Sequence, residues 1–373
     1  MSSHFNPRLP MSFSWLFKKI DWVLLGAAVF LSLLGILELT QFKNSSGLPV
    51  YAQRQAIYLA LGIAVVFFVA NLDYGFFRTY KHGAVFLYAF SVLLLAALFF
   101  TNQVTRGTVG WFKFGIFNFE PSELMKFSLI IILAKYFSWR HVEISRPVHI
   151  LISAAYLVLP AALIILQPDL GSVIILSAIW FVVVLFSGIK FRHLILVILT
   201  GIIIGVSGWI FVLAPYQKAR IASFIFPQAY SQSASYNQTQ SIITIGSSGF
   251  FGKGFAENFQ TKYGFLPSAS TDFIFAAFTE SFGFLGAFLI LALYLVLLWR
   301  IVRAAFYTSN NFSRLFLIGL FAFLFAQIFV NVGMNLGIMP VTGITLPLVS
   351  FGGSSMIITF LSLGIAESII VRS

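Results

Sequence analysis

Carboxylates are the side chains in this sequence best suited to acid–base chemistry, and they are few. The chain has 11 Asp and Glu residues, 5 His and no Cys. Without Cys, thiolate catalysis, disulfides and Cys-ligated metals are excluded, and no His stands at metal-ligand spacing from a carboxylate. The carboxylates at or near the outer ends of apolar runs are Glu120, Glu123, Asp169, Asp272 and Glu280. These are the candidates for chemistry.

Asp272 stands where a polar loop becomes an apolar helix, in the run Ser270-Thr271-Asp272-Phe273-Ile274. Two roles fit this position. Asp can cap a helix by accepting a hydrogen bond from a backbone N–H of the first turn, which is the more frequent role for this residue type. A half-desolvated carboxylate beside a polar loop is also suited to act as a general base.

Two further constellations combine charge with helix starts. Glu123 and Lys126 are spaced i, i+3 after Pro121-Ser122, which places them on one helical face. That spacing predicts a structural ion pair, although Lys126 would also suit a lipid pyrophosphate, with Glu123 orienting it. Asp169 follows Pro168 between two apolar runs, where Pro ends one helix and Asp can cap the next.

The elements that position these residues are predicted to be membrane helices. The chain is 59% hydrophobic and 9% charged, whereas soluble domains have about 25% charged residues. The net charge of +12 is spread between apolar runs without a basic stripe, which argues against nucleic-acid binding. Such scattered basic residues are typical of topology signals and contacts with membrane lipids.

We expect an all-α polytopic bundle that forms a single membrane-embedded domain over residues 1–373, because a span needs roughly 20 apolar residues. The ten predicted spans are 22–40, 54–71, 83–101, 123–138, 148–166, 170–188, 192–213, 272–299, 314–335 and 348–370. The first is interpreted as a retained span and not as a signal peptide, since no small-residue cleavage site follows a short apolar core. The distribution of Lys and Arg predicts cytoplasmic termini.

The long loop 214–271, between the seventh and eighth spans, is then extracytoplasmic. A loop of this length is uncommon unless it is functional or disordered, and its aromatic residues argue against disorder. Its stretch Gly252-Lys253-Gly254 matches no nucleotide-binding fingerprint. These glycines either present N–H groups to an anion or allow tight turns.

Four motifs together resemble the SEDS family (shape, elongation, division and sporulation), the RodA/FtsW group of bacterial cell-wall proteins. In chain order they are Gly110-Trp111 with Glu120-Pro121-Ser122-Glu123-Leu124-Met125-Lys126, then Gln167-Pro168-Asp169-Leu170-Gly171, then Tyr236-Asn237-Gln238-Thr239-Gln240-Ser241 through Gly252-Lys253-Gly254 to Thr271-Asp272-Phe273-Ile274-Phe275, and Met339-Pro340-Val341-Thr342-Gly343 to Ser350-Phe351-Gly352-Gly353-Ser354-Ser355. Each alone is weak, but their order matches over most of the chain.

The resemblance implies a peptidoglycan glycosyltransferase that polymerises lipid II at the outer face of the plasma membrane. It implies Asp272 as the catalytic residue and a class B penicillin-binding protein as partner. The sequence shows no dedicated metal site, although a divalent cation, Mg²⁺ or Mn²⁺, would suit the pyrophosphate. The candidate substrate-binding residues are Lys126, Glu123, Asp169, Arg54, Arg106, Trp111, Lys218, Arg220, Gln240, Ser241, Lys253 and Ser354.

The sequence departs from the family pattern at several motif positions. Gly110 stands where Arg is usual before the Trp, so Arg106 or Lys113 is expected to supply that charge, and Glu120 replaces a usual Gln. The short tails and the run Phe251-Gly252-Lys253-Gly254 favour the elongation-type RodA group over the division-type FtsW group. A lipid II flippase is the alternative from another class, since transporters also carry intramembrane carboxylates.

Overall fold

The computed structural model describes residues 17–43, 47–100, 110–114, 117–139, 147–226, 235–255 and 258–372. Within these ranges the chain forms ten long helices, which confirms the predicted all-α bundle. They are α1 (Trp22–Leu39), α2 (Val50–Asn71), α3 (Lys81–Ala97), α4 (Pro121–Trp139), α5 (Pro147–Leu166), α6 (Leu170–Phe186), α7 (Phe191–Ser207), α8 (Ile274–Tyr307), α9 (Asn311–Asn335) and α10 (Gly353–Arg372).

Most of these helices suit a bilayer by length and composition. In the described part of the chain, 8 helices are long and apolar enough to cross a membrane. The two others are α6, which is apolar but only 17 residues long, and α4, which contains Glu123, Lys126 and Lys135. A bilayer tolerates such charges when they face the bundle interior and are paired, and all three side chains are buried.

The later helices form the centre of the bundle. Of the most apolar stretch of each helix, 83% of the residues are buried in α10 and 67% in α9, against 0% in α7. Helix α10 packs mainly on α2, while α9 packs on α8, α6 and α4. Helix α7 therefore lies at the edge, with its apolar side chains facing the membrane.

Two helix ends differ from the predicted bounds for identifiable reasons. Helix α8 continues to Tyr307, beyond the expected residue 299, because Arg300 Nε donates to Asp21 Oδ2 at 2.6 Å, so its charge is paired. Helix α10 begins at Gly353, later than the expected residue 348. The preceding residues form a turn in which Ser350 Oγ donates to Thr271 O at 2.6 Å.

The described residues of the long segment between α7 and α8 include three short helices, Pro215–Ile225, Tyr236–Gly246 and Phe259–Lys262. Before α4, the strands β1 (Phe112–Phe114) and β2 (Phe117–Phe119) form an antiparallel hairpin. Both structures lie next to the ends of the long helices and contribute to the site described below.

Residues 249–254 pack against a kink in α8. The kink is at Gly283, which has φ 66°. Lys253 N donates to Glu280 O at 2.9 Å, and Phe284 N donates to Gly249 O at 3.1 Å. The two backbones are so close that a Cβ on Gly252 would lie 2.3 Å from Ser281 O. Here the glycines permit a close backbone crossing, which differs from both roles expected for this stretch, an anion site and tight turns.

Candidate active site

One cavity of about 420 Å³ lies where the start of α4, the α5–α6 turn, the residues before α8 and the start of α10 meet. The hairpin β1–β2 and the short helix Pro215–Ile225 complete its walls. Its charged lining residues are Glu120, Glu123, Asp169, Asp272, Lys113, Lys126 and Arg220. Segments far apart in the sequence thus bring carboxylates and cations into one space.

Asp272 lies at the edge of this cavity, two residues before the first residue of α8. The N-cap position of α8 is occupied by Phe273. The main-chain carbonyl of Asp272 accepts hydrogen bonds from Asn331 Nδ2 at 2.9 Å and Asn335 Nδ2 at 3.0 Å. Its Oδ2 lies 3.8 Å from where a Cβ on Gly343 would be, so the carboxylate faces the segment before α10.

Glu123 and Lys126 form a buried ion pair on the first turns of α4. Lys126 Nζ is 2.9 Å from Glu123 Oε1, with side-chain exposures of 2% and 4%. The ring centroid of Phe323, on α9, is 6.0 Å from the same ammonium group. The predicted ion pair therefore exists, and it lines the cavity, so its cation is within reach of an anion bound there.

Glu120 connects the hairpin to α4 and α10. Its carboxylate accepts hydrogen bonds from Trp111 Nε1 at 3.1 Å and Ser122 Oγ at 2.7 Å. Its main-chain N–H donates to Ser354 Oγ at 3.0 Å. Burial, and secondly the neighbouring Glu123 charge, raise the pKa of Glu120 to about 7. This group therefore changes its charge near neutral pH.

Asp169 combines a structural contact with a place in the cavity wall. It is the N-cap of α6, and its Oδ1 accepts the Ser172 backbone N–H at 3.0 Å. Gln167 and Pro168 line the cavity beside it. Asp169 therefore has the predicted capping role, and it also lines the cavity.

Among the described residues, seven of the candidates line the cavity. The seven are Asp272, Glu123, Lys126, Asp169, Trp111, Arg220 and Ser354. Ser241 instead donates to Asn335 O at 2.9 Å, Lys218 Nζ donates to Ile210 O at 3.3 Å, and Lys253 Nζ donates to Ser247 Oγ at 2.8 Å. Arg54 and Gln240 lie outside the lining as well, and Arg106 falls outside the described residues.

Other lining residues were not among the candidate substrate-binding residues, notably Glu120, Tyr58 and Asn237. Glu120 and Asn237 lie inside the motifs already noted, so their position in a motif was the available signal. Tyr58 lies one helical turn after Arg54 on α2, and only the packing of α2 against α10 brings it to the cavity.

An apolar groove of about 420 Å³ flanks the same α5–α6 turn. It is lined by Ile165, Leu170, Ile203, Trp209, Leu213 and neighbouring residues of α7. The turn between α5 and α6 therefore separates a charged cavity from a groove with almost no polar surface.

The described residues contain no group of three or more His, Asp or Glu side chains arranged to hold a metal ion. Three of the cavity carboxylates are instead directed to protein groups: Glu123 to Lys126, Asp169 to a backbone N–H group, and Glu120 to a hydroxyl group and an indole N–H group.

Comparison with known proteins places this architecture in a family. The model of the FtsW/RodA/SpoVE family, described as cell cycle proteins, matches residues 14–373. The chain is 33% identical over 358 residues to the peptidoglycan glycosyltransferase MrdB of Escherichia coli (strain K12), covering 94% of this chain and 95% of that protein. It is 34% identical to stage V sporulation protein E of Bacillus subtilis (strain 168), covering 84% and 85%.

Solved structures give the same result. The rod shape determining protein RodA of Thermus thermophilus matches with a TM-score of 0.68 and 31% identity, covering 95% of this chain and 97% of that chain. A chain of a peptidoglycan synthase complex, described as coordinating polymerization and crosslinking, matches with a TM-score of 0.79 and 31% identity, covering 95% and 98%. The chain is a multi-pass membrane protein that belongs to the FtsW/RodA/SpoVE family.

Proposed function

We propose that this protein is a peptidoglycan glycosyltransferase that polymerises lipid II at the outer face of the plasma membrane. The observation that carries the proposal is the single cavity that contains both the Asp272 carboxylate and the buried Lys126 ammonium group. Glycosyl transfer from a lipid pyrophosphate needs a base for the acceptor hydroxyl and positive charge for the leaving group.

Asp272 is proposed as the general base. The 4-hydroxyl of the GlcNAc of one lipid II molecule attacks the anomeric carbon of the donor, and Asp272 accepts the hydroxyl proton as the new C–O bond forms. The bond from the anomeric carbon to the pyrophosphate breaks on the opposite side. A single displacement converts the α-linked donor into a β(1→4) linkage.

The leaving pyrophosphate is proposed to bind the cations of the cavity. Lys126 is the first choice because Glu123 holds its ammonium group at a fixed position, and a pre-positioned charge stabilises developing negative charge without reorganisation. Lys113 and Arg220 line the same cavity and provide further positive charge. Asp169, Trp111 and Ser354 are proposed to contact the sugar–phosphate portion.

The apolar groove beside the α5–α6 turn supports an amphiphilic substrate. An isoprenoid chain would lie in the groove against Ile165, Leu170 and Trp209, while its pyrophosphate reached the charged cavity across the turn. Both substrates are lipid-anchored, which explains why a membrane fold performs this reaction.

A divalent cation, Mg²⁺ or Mn²⁺, is not assigned to protein ligands. The described residues contain no group of three or more His, Asp or Glu side chains placed to hold a metal ion. A cation that assists the reaction would have to be bound chiefly by the pyrophosphate itself. Polymerisation measured with EDTA and after re-addition of each cation tests this point.

The proposed partner is a class B penicillin-binding protein that crosslinks the glycan strands. The support is the match to a chain from a complex that coordinates polymerization and crosslinking. The run Phe251-Gly252-Lys253-Gly254 favours the elongation-type enzyme. Rescue of rod shape, rather than of division, in cells depleted of their own elongation-type polymerase tests that assignment.

Purified protein in proteoliposomes with its partner tests the proposed function against the flippase alternative. Lipid II polymerisation is measured as glycan products, and translocation is measured separately as lipid II accessibility across the bilayer. Glycan formation that depends on this chain supports the proposal. Translocation without glycan formation would instead support the flippase. Absence of both activities would contradict both functions.

A further inference from the structure

Helix α8 begins in an unusual way at the end nearest the cavity. The first backbone bond of the helix runs from Ala277 N to Phe273 O at 3.1 Å. A bond from Ala276 N to Asp272 O would extend the helix upstream. Instead, Ala276 N donates to Asn335 Oδ1 at 3.1 Å, and Asp272 O accepts from Asn335 Nδ2 at 3.0 Å. One side-chain amide from α9 thus pairs with both groups that this backbone bond would join.

The amide orientation of Asn335 is determined by its neighbours. Its Nδ2 faces two carbonyl oxygens, those of Asp272 and Asn331 at 3.0 and 2.8 Å, while its Oδ1 faces an N–H group. Exchanging the nitrogen and oxygen would place donor against donor and acceptor against acceptor. Asn335 is fully buried, so water does not substitute for these bonds.

Two other side chains also donate hydrogen bonds to the backbone at Asp272 and at the residue before it. Asn331 Nδ2 also donates to Asp272 O at 2.9 Å, and Ser350 Oγ donates to the adjacent Thr271 O at 2.6 Å. These bonds fix the residues before α8, but neither Asn331 nor Ser350 contacts the Ala276 N–H. Among the described residues, only the Asn335 amide bonds both the Asp272 carbonyl and the Ala276 N–H group, at the start of α8.

We propose that Asn335 is a positioning residue for Asp272: its amide stops α8 at Phe273 and keeps Asp272 outside the helix, with its carboxylate at the cavity. Without this amide, Ala276 N would bond Asp272 O, and Asp272 would become the N-cap of a longer α8. Its carboxylate would then turn towards the first-turn N–H groups, away from the acceptor hydroxyl. This inference rests on the proposed role of Asp272 as base.

The test compares three variants of the full-length protein with its partner. Asn335→Leu keeps the branched shape and the number of heavy atoms of the side chain and removes all of its hydrogen bonds, including those to Ala276 N and Asp272 O. Asn335→Asp retains those two bonds only when its carboxyl group is protonated, because a carboxylic acid has one donor and one acceptor oxygen whereas a carboxylate has no donor. Gln327→Leu is the matched control, a buried amide two turns earlier on α9 whose side-chain nitrogen and oxygen have no hydrogen-bond partner among the described residues.

We expect Asn335→Leu to lower kcat about 100-fold, the loss typical of a misplaced catalytic group, with little change in KM for lipid II. Gln327→Leu should keep the wild-type kcat. The activity of Asn335→Asp relative to wild type should rise as the pH is lowered from about 8 to about 6, because the protonated form then accumulates. A purely structural role for Asn335 does not predict this dependence.

A structure of Asn335→Leu provides a readout that does not depend on activity, and α8 is expected to begin one residue earlier, at Phe273. An unchanged helix start, wild-type kcat in Asn335→Leu, or a pH-independent activity ratio for Asn335→Asp would overturn the inference. Should Asn335→Leu fail to fold, the pH series of Asn335→Asp decides. If wild-type protein forms no glycan, the proposed function fails, and the helix start still tests the role of Asn335.

Discussion

Lys126 Nζ lies 2.9 Å from Glu123 Oε1, and both side chains are almost completely buried while lining the cavity. A buried charge that loses its partner destabilises a protein by about 3–5 kcal/mol. Any substitution of one member alone therefore changes both folding and the charge of the site. The two effects need separate measurements.

Lys126→Glu should sharply lower thermal stability and abolish polymerisation, because it places two carboxylates side by side. The reversed pair Glu123→Lys/Lys126→Glu should recover much of the stability, since opposite charges again face each other. It should not recover polymerisation, because the cation has moved one helical turn. Thermal unfolding in detergent and glycan synthesis measured together test this, and recovery of both would indicate a purely structural pair.

The pKa of Glu120, raised to about 7 by burial, predicts a pH-dependent stability. A carboxyl group whose pKa is higher in the folded than in the unfolded state favours folding below its unfolded pKa, and this contribution is lost as the pH rises through about 7. Glu120→Gln keeps an acceptor for Trp111 Nε1 and carries no charge. It should be more stable than wild type at pH 8, with a smaller difference at pH 5.

The corresponding measurement is the thermal midpoint of both proteins across that pH range. A difference between Glu120→Gln and wild type that does not change with pH would contradict the assignment. Ser122→Ala, which removes one hydrogen bond to the carboxylate without removing the charge, is the control.

Gly252→Ala should disrupt docking of the long extracytoplasmic segment on α8. The new Cβ would lie 2.3 Å from Ser281 O, and φ at Gly252 is +82°. Backbone strain of this kind costs about 1–3 kcal/mol before any overlap is counted. We expect faster limited proteolysis of the segment and reduced polymerisation. Gly246→Ala, where a Cβ meets nothing within 4 Å, should behave as wild type.

The sequence predicted the bundle well, because long apolar runs leave few alternatives to membrane helices. It also predicted the Glu123–Lys126 pair, since i, i+3 spacing alone brings the two side chains together. The helix ends were less predictable. Arg300 looked like the end of a span, but α8 continues past it, because the partner of Arg300 is Asp21 near the other end of the chain.

The candidate site was also predictable only in part, because its contacts join residues that are far apart in the sequence. Asp272 was recognisable from its motif, but its two roles stayed open because the choice depends on Asn335, which is 63 positions away. Lys253 resembled an anion-binding residue in a glycine-rich loop. In the structure its ammonium group bonds Ser247, and the glycines allow a backbone crossing with α8 that no local pattern reveals.

The most direct test of the proposed function is polymerisation of lipid II by Asp272→Asn in purified protein with the proposed penicillin-binding partner. The amide preserves the size of the side chain but is not a base. We predict loss of glycan polymer with unchanged thermal stability and partner binding. Undiminished glycan synthesis by a folded Asp272→Asn protein would contradict the central claim.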